Sequence, residues 1–403
     1  MNETISTIGR TYLRWALTAG IGPLTFSRLL IQLGDPENAL AAPASLLRTV
    51  KGIGPDKAEQ IIRSRDSDDA KREFEAAAEA GVRIICRADP DYPEGLKRIP
   101  DAPIVLFVKG ALLATDAIAV AVVGSRHCTI YGSEQARRFG ELLAGAGFTV
   151  VSGLARGVDA FAHHGAVEAG GRSLAVMGRG LTEIYPPENR ALADKLLESG
   201  AWITELPMRA EVRAENFPGR NRIIAGMTLG TLVVEAAQRS GALITARLAS
   251  EYNREVFAIP GRVQDPMSLG TNGLIRDGGA KLTTCLEDIL DELGEVGRKM
   301  AAEGTGSVAA GRSLPAAAGP GRPDGAADPR VGRDAAPVAA AAPLSAAESR
   351  VYGVIGFEPL LQDVIIRAAE LPPGEVLAAM TALELKGLIR RLPGNLVVRR
   401  GVA

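Results

Sequence analysis

Short apolar runs alternate with helix-like stretches through the middle of the chain, from about residue 80 to 292. Strands that are apolar almost throughout are typical of a sheet covered on both faces, and regular alternation with helices favours parallel pairing. The pattern therefore predicts an α/β protein with an extended Rossmann-like parallel-sheet core. The predicted strands are residues 82–86, 104–108, 118–123, 148–151, 173–177, 202–204, 231–235 and 255–259.

The first 75 residues have a different pattern, in which short helical stretches are separated by glycine-rich turns. One turn recurs, as Gly20-Ile21-Gly22-Pro23 and again as Gly52-Ile53-Gly54-Pro55, and an apolar-periodic helix follows each copy. This repeat resembles tandem helix-hairpin-helix units, whose glycines let backbone N–H groups approach a phosphate. Two interpretations stay open for this helical domain: contact with DNA, or a purely structural cap.

Two further regions follow the predicted sheet. Residues 297–343 are dominated by Ala, Gly and Pro, and such a composition buries too little apolar surface to fold, so a flexible linker is expected. Residues 344–403 begin with the capping box Ser345-Ala346-Ala347-Glu348. Helices are predicted near 361–370 and at 375–386, and a hairpin at 388–392 and 396–400 around Pro393-Gly394-Asn395. This order predicts a winged helix.

Composition restricts the kind of partner. Lys and Arg total 46 and Asp and Glu total 47, so any nucleic-acid site must be a local patch rather than a property of the whole surface. The cysteines Cys86, Cys128 and Cys285 form no paired motif, which argues against a disulfide framework or a structural zinc site. No leader or membrane-spanning pattern is evident, and a cytoplasmic protein is expected.

The loops after the predicted strands are rich in glycine, hydroxyl groups and arginine. The carboxyl ends of parallel strands lie at one edge of a sheet, where ligands bind. Glycines admit close backbone approach and arginine can hold a phosphate with two hydrogen bonds. Each loop alone fits ordinary strand-to-helix geometry, but four together predict a phosphate-binding edge. They are Gly124-Ser125-Arg126-His127-Cys128-Thr129, Ser152-Gly153-Leu154-Ala155-Arg156-Gly157, Gly178-Arg179-Gly180 and Pro260-Gly261-Arg262, with a fifth, longer loop reaching Ser240-Gly241.

A separate cluster, Phe217-Pro218-Gly219-Arg220-Asn221-Arg222, precedes an apolar helix. Phosphate-binding side chains beside an aromatic ring are what single-strand binding uses. The alternative is a helix start with a core phenylalanine and solvated arginines.

The common catalytic motifs are missing. The sequence contains no GxGxxG, GxxxxGK[ST], HExxH or GxSxG pattern, so no cofactor, metal or catalytic residue is assigned. His163 and His164 near Asp159 could serve a metal or acid–base role, but packing, or hydrogen bonding that shapes the Ser152 loop, is the preferred interpretation. For Glu205 and Glu235, at strand ends, the expected role is to orient arginines.

The chain resembles the DNA-processing protein A (DprA, or Smf) family over residues 90 to 285, in unbroken order. The matching segments are YPEGLKRIPDAPIVLFVKG (92–110), VVGSRHCTIYG (122–132), SGLARGVDAFAHHGAVEAGG (152–171), YPPENRAL (185–192), FPGRNRIIAGM (217–227), VVEAAQRSGALITARLA (233–249), REVFAIPG (254–261) and GTNGLI (270–275).

The resemblance implies a homodimer that binds single-stranded DNA, protects incoming strands during natural transformation and loads the RecA recombinase. It places a phosphate-binding loop at Gly124, Ser125, Arg126 and Thr129. The other DNA-binding residues that it implies are Ser152, Gly153 and Arg156 beside that loop, Phe217, Arg220, Asn221 and Arg222 for stacking and backbone contact, and Ser240, Gly241 and Thr245 closing the pocket.

The C-terminal module departs from a typical DNA reader. Its helix at 375–386 carries Glu375 and Glu384 against one lysine, and the basic residues lie around the wing, at Arg390, Arg391, Arg399 and Arg400. A protein contact or weak duplex binding is expected there.

Two other functions were weighed. A nucleotide hydrolase using Glu205 or Glu235 would need a PGGxGT-type loop, which is absent, and a transcription factor would need a more basic helix.

Overall fold

The computed structural model describes residues 5–296, 344–355, 360–369, 371–386, 388–392 and 396–399. The chain divides into two compact units, Met1–Pro315 and Ala316–Ala403. The predicted linker at 297–343 and the predicted hairpin turn at 393–395 lie outside the described residues.

The larger unit contains a nine-stranded, mostly parallel sheet in the order β1-β2-β6-β5-β4-β3-β7-β8-β9. All neighbouring pairs from β6 to β9 are parallel, whereas β2 pairs antiparallel with both β1 and β6. The strands are β1 Val82–Cys86, β2 Val105–Gly110, β3 Ala119–Val123, β4 Thr149–Ser152, β5 Ser173–Val176, β6 Ala201–Thr204, β7 Gly230–Val233, β8 Glu255–Ala258 and β9 Lys281–Leu282.

Helices surround this sheet. They are α1 Thr7–Leu17, α2 Pro23–Leu33, α3 Pro36–Ala41, α4 Ala44–Leu47, α5 Pro55–Ser64, α6 Asp69–Glu79, α7 Glu94–Lys97, α8 Ile130–Gly145, α9 Val158–Glu168, α10 Arg190–Leu196, α11 Asn216–Met227, α12 Gly241–Glu251, α13 Leu269–Arg276 and α14 Leu286–Glu292.

The strand order creates a switch point. The chain runs outward from β3 through β4 and β5 to β6, and then returns so that β7 lies on the other side of β3. The connections that leave β3 and β7 therefore diverge, and a crevice opens beyond their carboxyl ends. This topology, rather than any single loop, decides where a ligand can bind.

Both faces of the sheet are buried, as the apolar strands predicted. On one face α8, α9 and α14 enclose Val120, Val150 and Phe257. On the other face α11 and α12 pack against Ala121 and Ile203. The prediction of an α/β protein with a parallel-sheet core is confirmed, and the antiparallel pairing of β2 with β1 and β6 is a feature that the pattern did not indicate. The two-residue strand β9 was missed because so short a run carries no pattern.

The N-terminal helices pack onto the sheet itself. Trp15 and Phe26 are fully buried in a core that also contains Ile84, Phe107 and Trp202 from the sheet strands. Burial of these large aromatic side chains supplies much of the hydrophobic stabilisation that joins the two regions. The helical region and the sheet therefore share one hydrophobic core.

The smaller unit is a winged helix, as predicted. The capping box is present, since Ser345 Oγ accepts the N–H of Glu348 and Glu348 Oε2 accepts the N–H of Ser345. A strand that the sequence pattern missed, β10, pairs with β12 beside the β11–β12 hairpin. The last helix begins at Pro373 rather than at residue 375, because proline suits the first helical position. The elements are α15 Ala346–Val354, β10 Leu360–Leu361, α16 Gln362–Ala368, α17 Pro373–Leu385, β11 Ile389–Leu392 and β12 Leu396–Arg399.

Within the described ranges, no helix combines the length and apolar character needed to cross a membrane.

Candidate nucleic-acid interface

A cavity of about 420 Å³ lies at the switch point, beyond the ends of β3 and β7. Its walls come from the loop after β3, the first turns of α11 and α12, and the loop before α13. Nine of the fourteen predicted DNA-binding residues line it: Gly124, Ser125, Arg126, Phe217, Arg220, Asn221, Ser240, Gly241 and Thr245.

The loop after β3 is held in place by Glu235. The Ser125 N–H donates to the main-chain oxygen of Glu235 at 2.8 Å, and the Thr129 N–H donates to Glu235 Oε2 at 2.8 Å. The Thr129 hydroxyl donates to the other carboxylate oxygen and accepts the N–H of Gly132 at the start of α8. Glu235 is 1% exposed and has no arginine partner among the described residues, so the expectation that it orients arginines was wrong. It fixes the shape of the loop instead.

Arg220 is a buried cation in the wall of the cavity. Its Nη1 donates to the Val176 carbonyl at 2.6 Å and lies so close to Gly153 that a Cβ there would be 1.6 Å away. Burial lowers the pKa of Arg220, and the charge of Asp159 opposes that shift. Only glycine at position 153 leaves room for the guanidinium.

Asp159 is the counter-charge beneath Arg220. It is 6% exposed and accepts the N–H of Gly153 at 3.1 Å. Burial raises the pKa of Asp159, whereas Arg220 and hydrogen bonds from the Ser152–Ala155 loop oppose the rise. The hydrogen bonding that shapes the Ser152 loop, which the sequence analysis assigned to the histidines, is thus supplied by Asp159.

Arg126 differs from Arg220 in being exposed at the mouth of the cavity. Its Cζ lies 4.4 Å from the centroid of the Phe217 ring, a cation–π distance, and the Arg220 Cζ lies 6.0 Å from the same centroid. Among the described residues, Arg126 has no hydrogen-bond acceptor and no carboxylate partner. Its charge is therefore available to an anion.

Gly153 and Arg156 lie in a smaller recess next to the cavity, which also includes Arg126, Phe217 and Tyr185. Arg156 is exposed and paired with Glu188. An anion at this recess would compete with the Glu188 carboxylate for the Arg156 guanidinium. Because solvent-exposed ion pairs are weak, Glu188 would be a weak competitor.

Besides Gly153 and Arg156, three more predicted residues do not line the cavity. Thr129 caps α8, as described above. Ser152 is fully buried and donates to the Val122 carbonyl at 2.6 Å. Arg222 donates to the Asp101 carbonyl and pairs with Glu205, whose pKa is raised by burial while Arg222 opposes the rise. The expectation that Glu205 orients an arginine is confirmed for Arg222.

Several residues of the cavity were not predicted. His127, Asp159, Pro218 and Met267 all line it. His127 lies inside the first glycine-rich loop and Asp159 lies two residues after the second, in the first turn of α9, so the sequence near both positions indicated a site. Met267 belongs to the segment before α13, and nothing local in the sequence indicates that this segment folds back to the cavity.

His163 does not line the cavity. His163 is fully buried with Nδ1 2.7 Å from Ser173 Oγ, and burial, reinforced by the Arg220 charge, lowers its pKa to about 3. It is therefore neutral near pH 7 and serves packing, as preferred from the sequence. In the part of the chain that the structure describes, no group of three or more His, Cys, Asp or Glu could hold a metal ion.

We expect Glu235→Ala to lower both stability and DNA affinity. The substitution leaves the half-buried Thr129 N–H without an acceptor, and losing hydrogen bonds to a charged group costs about 1.5–3 kcal/mol each. Urea denaturation measures the stability, and anisotropy of labelled oligothymidine measures affinity. Arg247→Ala, an exposed position on α12 paired only with Glu251, is the control. Full affinity in a destabilised Glu235→Ala protein would contradict the role in loop positioning.

The comparisons with known proteins agree with this geometry. The family model for DNA recombination-mediator protein A matches residues 83–294, and that for the DprA winged helix domain matches residues 335–395. Protein Smf of Synechocystis sp. (strain ATCC 27184 / PCC 6803 / Kazusa) is 34% identical over 96% of this chain and 98% of its own. Protein Smf of Escherichia coli (strain K12) is 40% identical over 76% of this chain and 74% of its own.

A solved structure is also similar. The X-ray structure of DNA processing protein A from Streptococcus pneumoniae matches with a TM-score of 0.63 and 33% identity, over 72% of this chain and 98% of that one. The family models, the relatives and the solved structure all indicate the same family. The chain belongs to the DprA/Smf family of DNA-processing proteins.

Proposed function

We propose that this protein binds single-stranded DNA at the switch-point cavity and is not an enzyme. The observation that carries the proposal is Arg126, an exposed cation without a carboxylate partner in the described chain, held against Phe217 at the mouth of a glycine-rich cavity. A phosphate can bind the guanidinium while a base contacts the aromatic group, and this combination tolerates any sequence.

Other features of the cavity support an anionic ligand. Arg220 adds a second cation in the wall, and Gly241, the first residue of α12, lines the cavity. The N-terminus of a helix favours negative charge because of its free N–H groups and its dipole. Gly153 leaves room for the Arg220 guanidinium, and Gly124 lets the loop after β3 pack against Val158.

The carboxylates needed by the alternative, a nucleotide hydrolase, are engaged elsewhere. Both oxygens of Glu235 accept hydrogen bonds from Thr129, and Glu205 pairs with Arg222. Neither lines the cavity. Binding, rather than hydrolysis, is the function that the site supports best.

The cellular role follows from family membership and is proposed on that basis. The relatives from Bacillus subtilis and Streptococcus pneumoniae carry the name DNA processing protein DprA. We propose that this protein acts in the cytoplasm as a homodimer. There it would protect strands taken up during natural transformation and transfer them to RecA.

The test is anisotropy of a fluorescein-labelled oligothymidine across a salt series. Wild type should bind tightly, with affinity that falls steeply with salt. Arg126→Ala should bind at least about tenfold more weakly, because a charge-assisted hydrogen bond is worth about 1.5–3 kcal/mol and 1.4 kcal/mol is a factor of ten. Its salt slope should fall by about 0.7 for the lost phosphate contact.

Arg247→Ala removes the same charge from α12 outside the cavity and should bind within about twofold of wild type. No binding by wild type, or equal binding by Arg126→Ala, would contradict the proposed site. RecA filament assembly on a strand coated with single-strand-binding protein is the second readout for the same proteins. Acceleration by wild type but not by Arg126→Ala would support transfer to RecA, and no acceleration would contradict it.

A further inference from the structure

A second cationic groove lies in the N-terminal helical region, between α1 and α6, and is here called the α1/α6 groove. Its volume is about 320 Å³. Its lining includes the cations Arg10, Arg14 and Lys71, the aromatic ring of Phe74 and the hydroxyl-bearing Thr11. Among the described residues that line it, none carries a carboxylate. The groove therefore favours an anionic ligand, and the proposed function gives it no role.

Arg10 has an environment like that of Arg126 at the cavity. It is exposed, and its Cζ lies 5.4 Å from the centroid of the half-buried Phe74 ring, a cation–π distance. In the described part of the chain, neither Arg10 nor the exposed Lys71 is paired with a carboxylate. Both charges are therefore available to an anion beside an aromatic ring, the combination also found at Arg126 and Phe217.

Arg14 supplies a cation to the wall of the groove, as Arg220 does in the cavity. Its guanidinium donates to the carbonyl oxygens of Ser64 and Arg65, at the end of α5. Because these acceptors are neutral, they fix the guanidinium without cancelling its charge. The groove and the cavity thus repeat one arrangement, an available arginine on an aromatic ring and a second arginine fixed by main-chain carbonyl oxygens.

The loop after β6 joins the groove to the recess beside the cavity. Glu73, on α6, accepts the N–H of Met208 in this loop. Two residues further on, the carbonyl oxygen of Ala210 accepts the N–H of Gly180 at 3.0 Å. Gly180 belongs to the glycine-rich loop after β5, and its neighbour Arg179 lines the recess. Two hydrogen bonds through a single loop therefore connect the helix of the groove with the recess.

Arg209 lies in the same loop, between these two contacts. It is exposed and has no carboxylate in an ion pair with it within the described ranges, whereas Arg213 is paired with Glu215. Burial raises the pKa of Glu73, and the Met208 N–H and the Arg209 charge oppose the rise, which places Arg209 near α6. An available cation is thus present on the surface between the recess and the groove.

We infer that the α1/α6 groove is a second contact for single-stranded DNA, to which a strand held at the switch-point cavity continues past Arg209. The inference rests on the proposed function, because it extends the strand bound at the cavity. Cations beside an aromatic ring are the surface on which a single strand binds without sequence preference. The ring of Phe74 favours unpaired bases over a duplex, whose bases are stacked inside the helix.

The test measures how the affinity of the full chain depends on the length of the strand. Two fluorescein-labelled oligothymidines are compared by anisotropy, of about 6 and about 30 nucleotides, because single-strand sites usually cover about 4–16 nucleotides. The short strand can occupy the cavity and its recess, and only the long strand can also reach the groove. Wild type should therefore bind the long strand more tightly.

Two double variants separate the groove from the rest of the helical region. Arg10→Ala/Lys71→Ala removes the two available cations of the groove. Arg63→Ala/Arg72→Ala is the matched control, because it removes two exposed cations that are each paired with a carboxylate. All four residues lie on helices, where alanine is favourable.

Arg10→Ala/Lys71→Ala should bind the long strand at least about fivefold more weakly than wild type and the short strand equally well. Its salt slope for the long strand should fall by about 1.4, which is about 0.7 for each lost phosphate contact. The control should bind both strands within about twofold of wild type. Arg126→Ala should weaken binding of both strands, because both occupy the cavity.

Two results would overturn the inference. Equal affinity of the two double variants for the long strand would leave the groove to another anion, such as an acidic peptide. Equal loss of both strands in Arg10→Ala/Lys71→Ala would show that these residues act on the cavity or on the fold. Failure of the cavity proposal would appear separately, as unchanged binding of both strands by Arg126→Ala.

Discussion

Replacing Arg220 by leucine should destabilise the protein by about 1.5–3 kcal/mol, because the buried hydrogen bond from its charged guanidinium to the Val176 carbonyl is lost and Asp159 loses a nearby positive charge. Arg220 is 6% exposed and is the cation that opposes the rise in the pKa of Asp159. Leucine keeps part of the apolar contact but removes the charge and the hydrogen bond to Val176. Urea denaturation of both proteins measures the loss, and oligothymidine binding should be lost as well.

The loss of stability caused by Arg220→Leu should depend on pH. Without Arg220, the folded-state pKa of Asp159 rises further above the usual value of about 3.9, so the native state holds a proton that the unfolded chain releases. The stability of the variant then falls as pH rises from about 3.9 to the raised pKa of Asp159. The slope is at most about 1.4 kcal/mol per pH unit. The difference from wild type should therefore be larger at pH 7.5 than at pH 5.

A second substitution separates stability from binding. Arg220→Leu/Asp159→Asn removes the unpaired charge while the asparagine oxygen still accepts the Gly153 N–H, so much of the stability should return. DNA binding should not return, because the cation is still absent. Recovery of both properties would show that Arg220 acts only on the fold, and recovery of neither would show that the two residues are not a coupled pair.

Replacing Gly165 by alanine should cost about 2–3 kcal/mol, although alanine in a helix is normally better than glycine by about 1 kcal/mol. Helices α8 and α9 are in backbone contact at this point. A Cβ on Gly165 would lie 2.0 Å from the Arg137 carbonyl oxygen, and a Cβ on Gly140 would lie 2.2 Å from that of Ala162. The helices would have to separate, which disturbs the packing on β3 and β4.

Gly145 is the control for this prediction, because it ends the partner helix α8 and a Cβ there would meet no atom within 4 Å. Gly145→Ala should be neutral or slightly stabilising in thermal and urea denaturation. Equal effects of the two substitutions would show that the helices are not in contact at Gly165.

The strands were predicted well because their signal is local. Eight of the nine sheet strands coincide with apolar runs, from Val82–Cys86 to Glu255–Ala258, since a strand buried on both faces must be apolar along its length. The glycine-rich loops were found for the same reason, because close backbone approach requires glycine wherever the partner lies. The antiparallel pairing of β2 was not found, because pairing direction depends on which strand lies alongside.

The roles of individual polar residues depended on tertiary contacts. Arg220 and Arg222 are two positions apart on α11 and were assigned the same role. Arg220 lines the cavity over Asp159, while Arg222 pairs with Glu205 and Asp101 outside it. Nothing in the local sequence separates them, since an arginine has the same pattern whether it meets a ligand or a carboxylate of its own chain.

The sequence by itself thus determined the alternation of strands and helices, the glycine-rich loops and the family, all of which depend on residues near one another in the chain. The tertiary structure decided which side chains share the cavity, that Glu235 holds the loop after β3, and that Arg126 is without a carboxylate partner among the described residues. These depend on contacts between residues as far apart as Thr129 and Glu235. Such contacts are set by the strand order of the sheet, which no short stretch of sequence encodes.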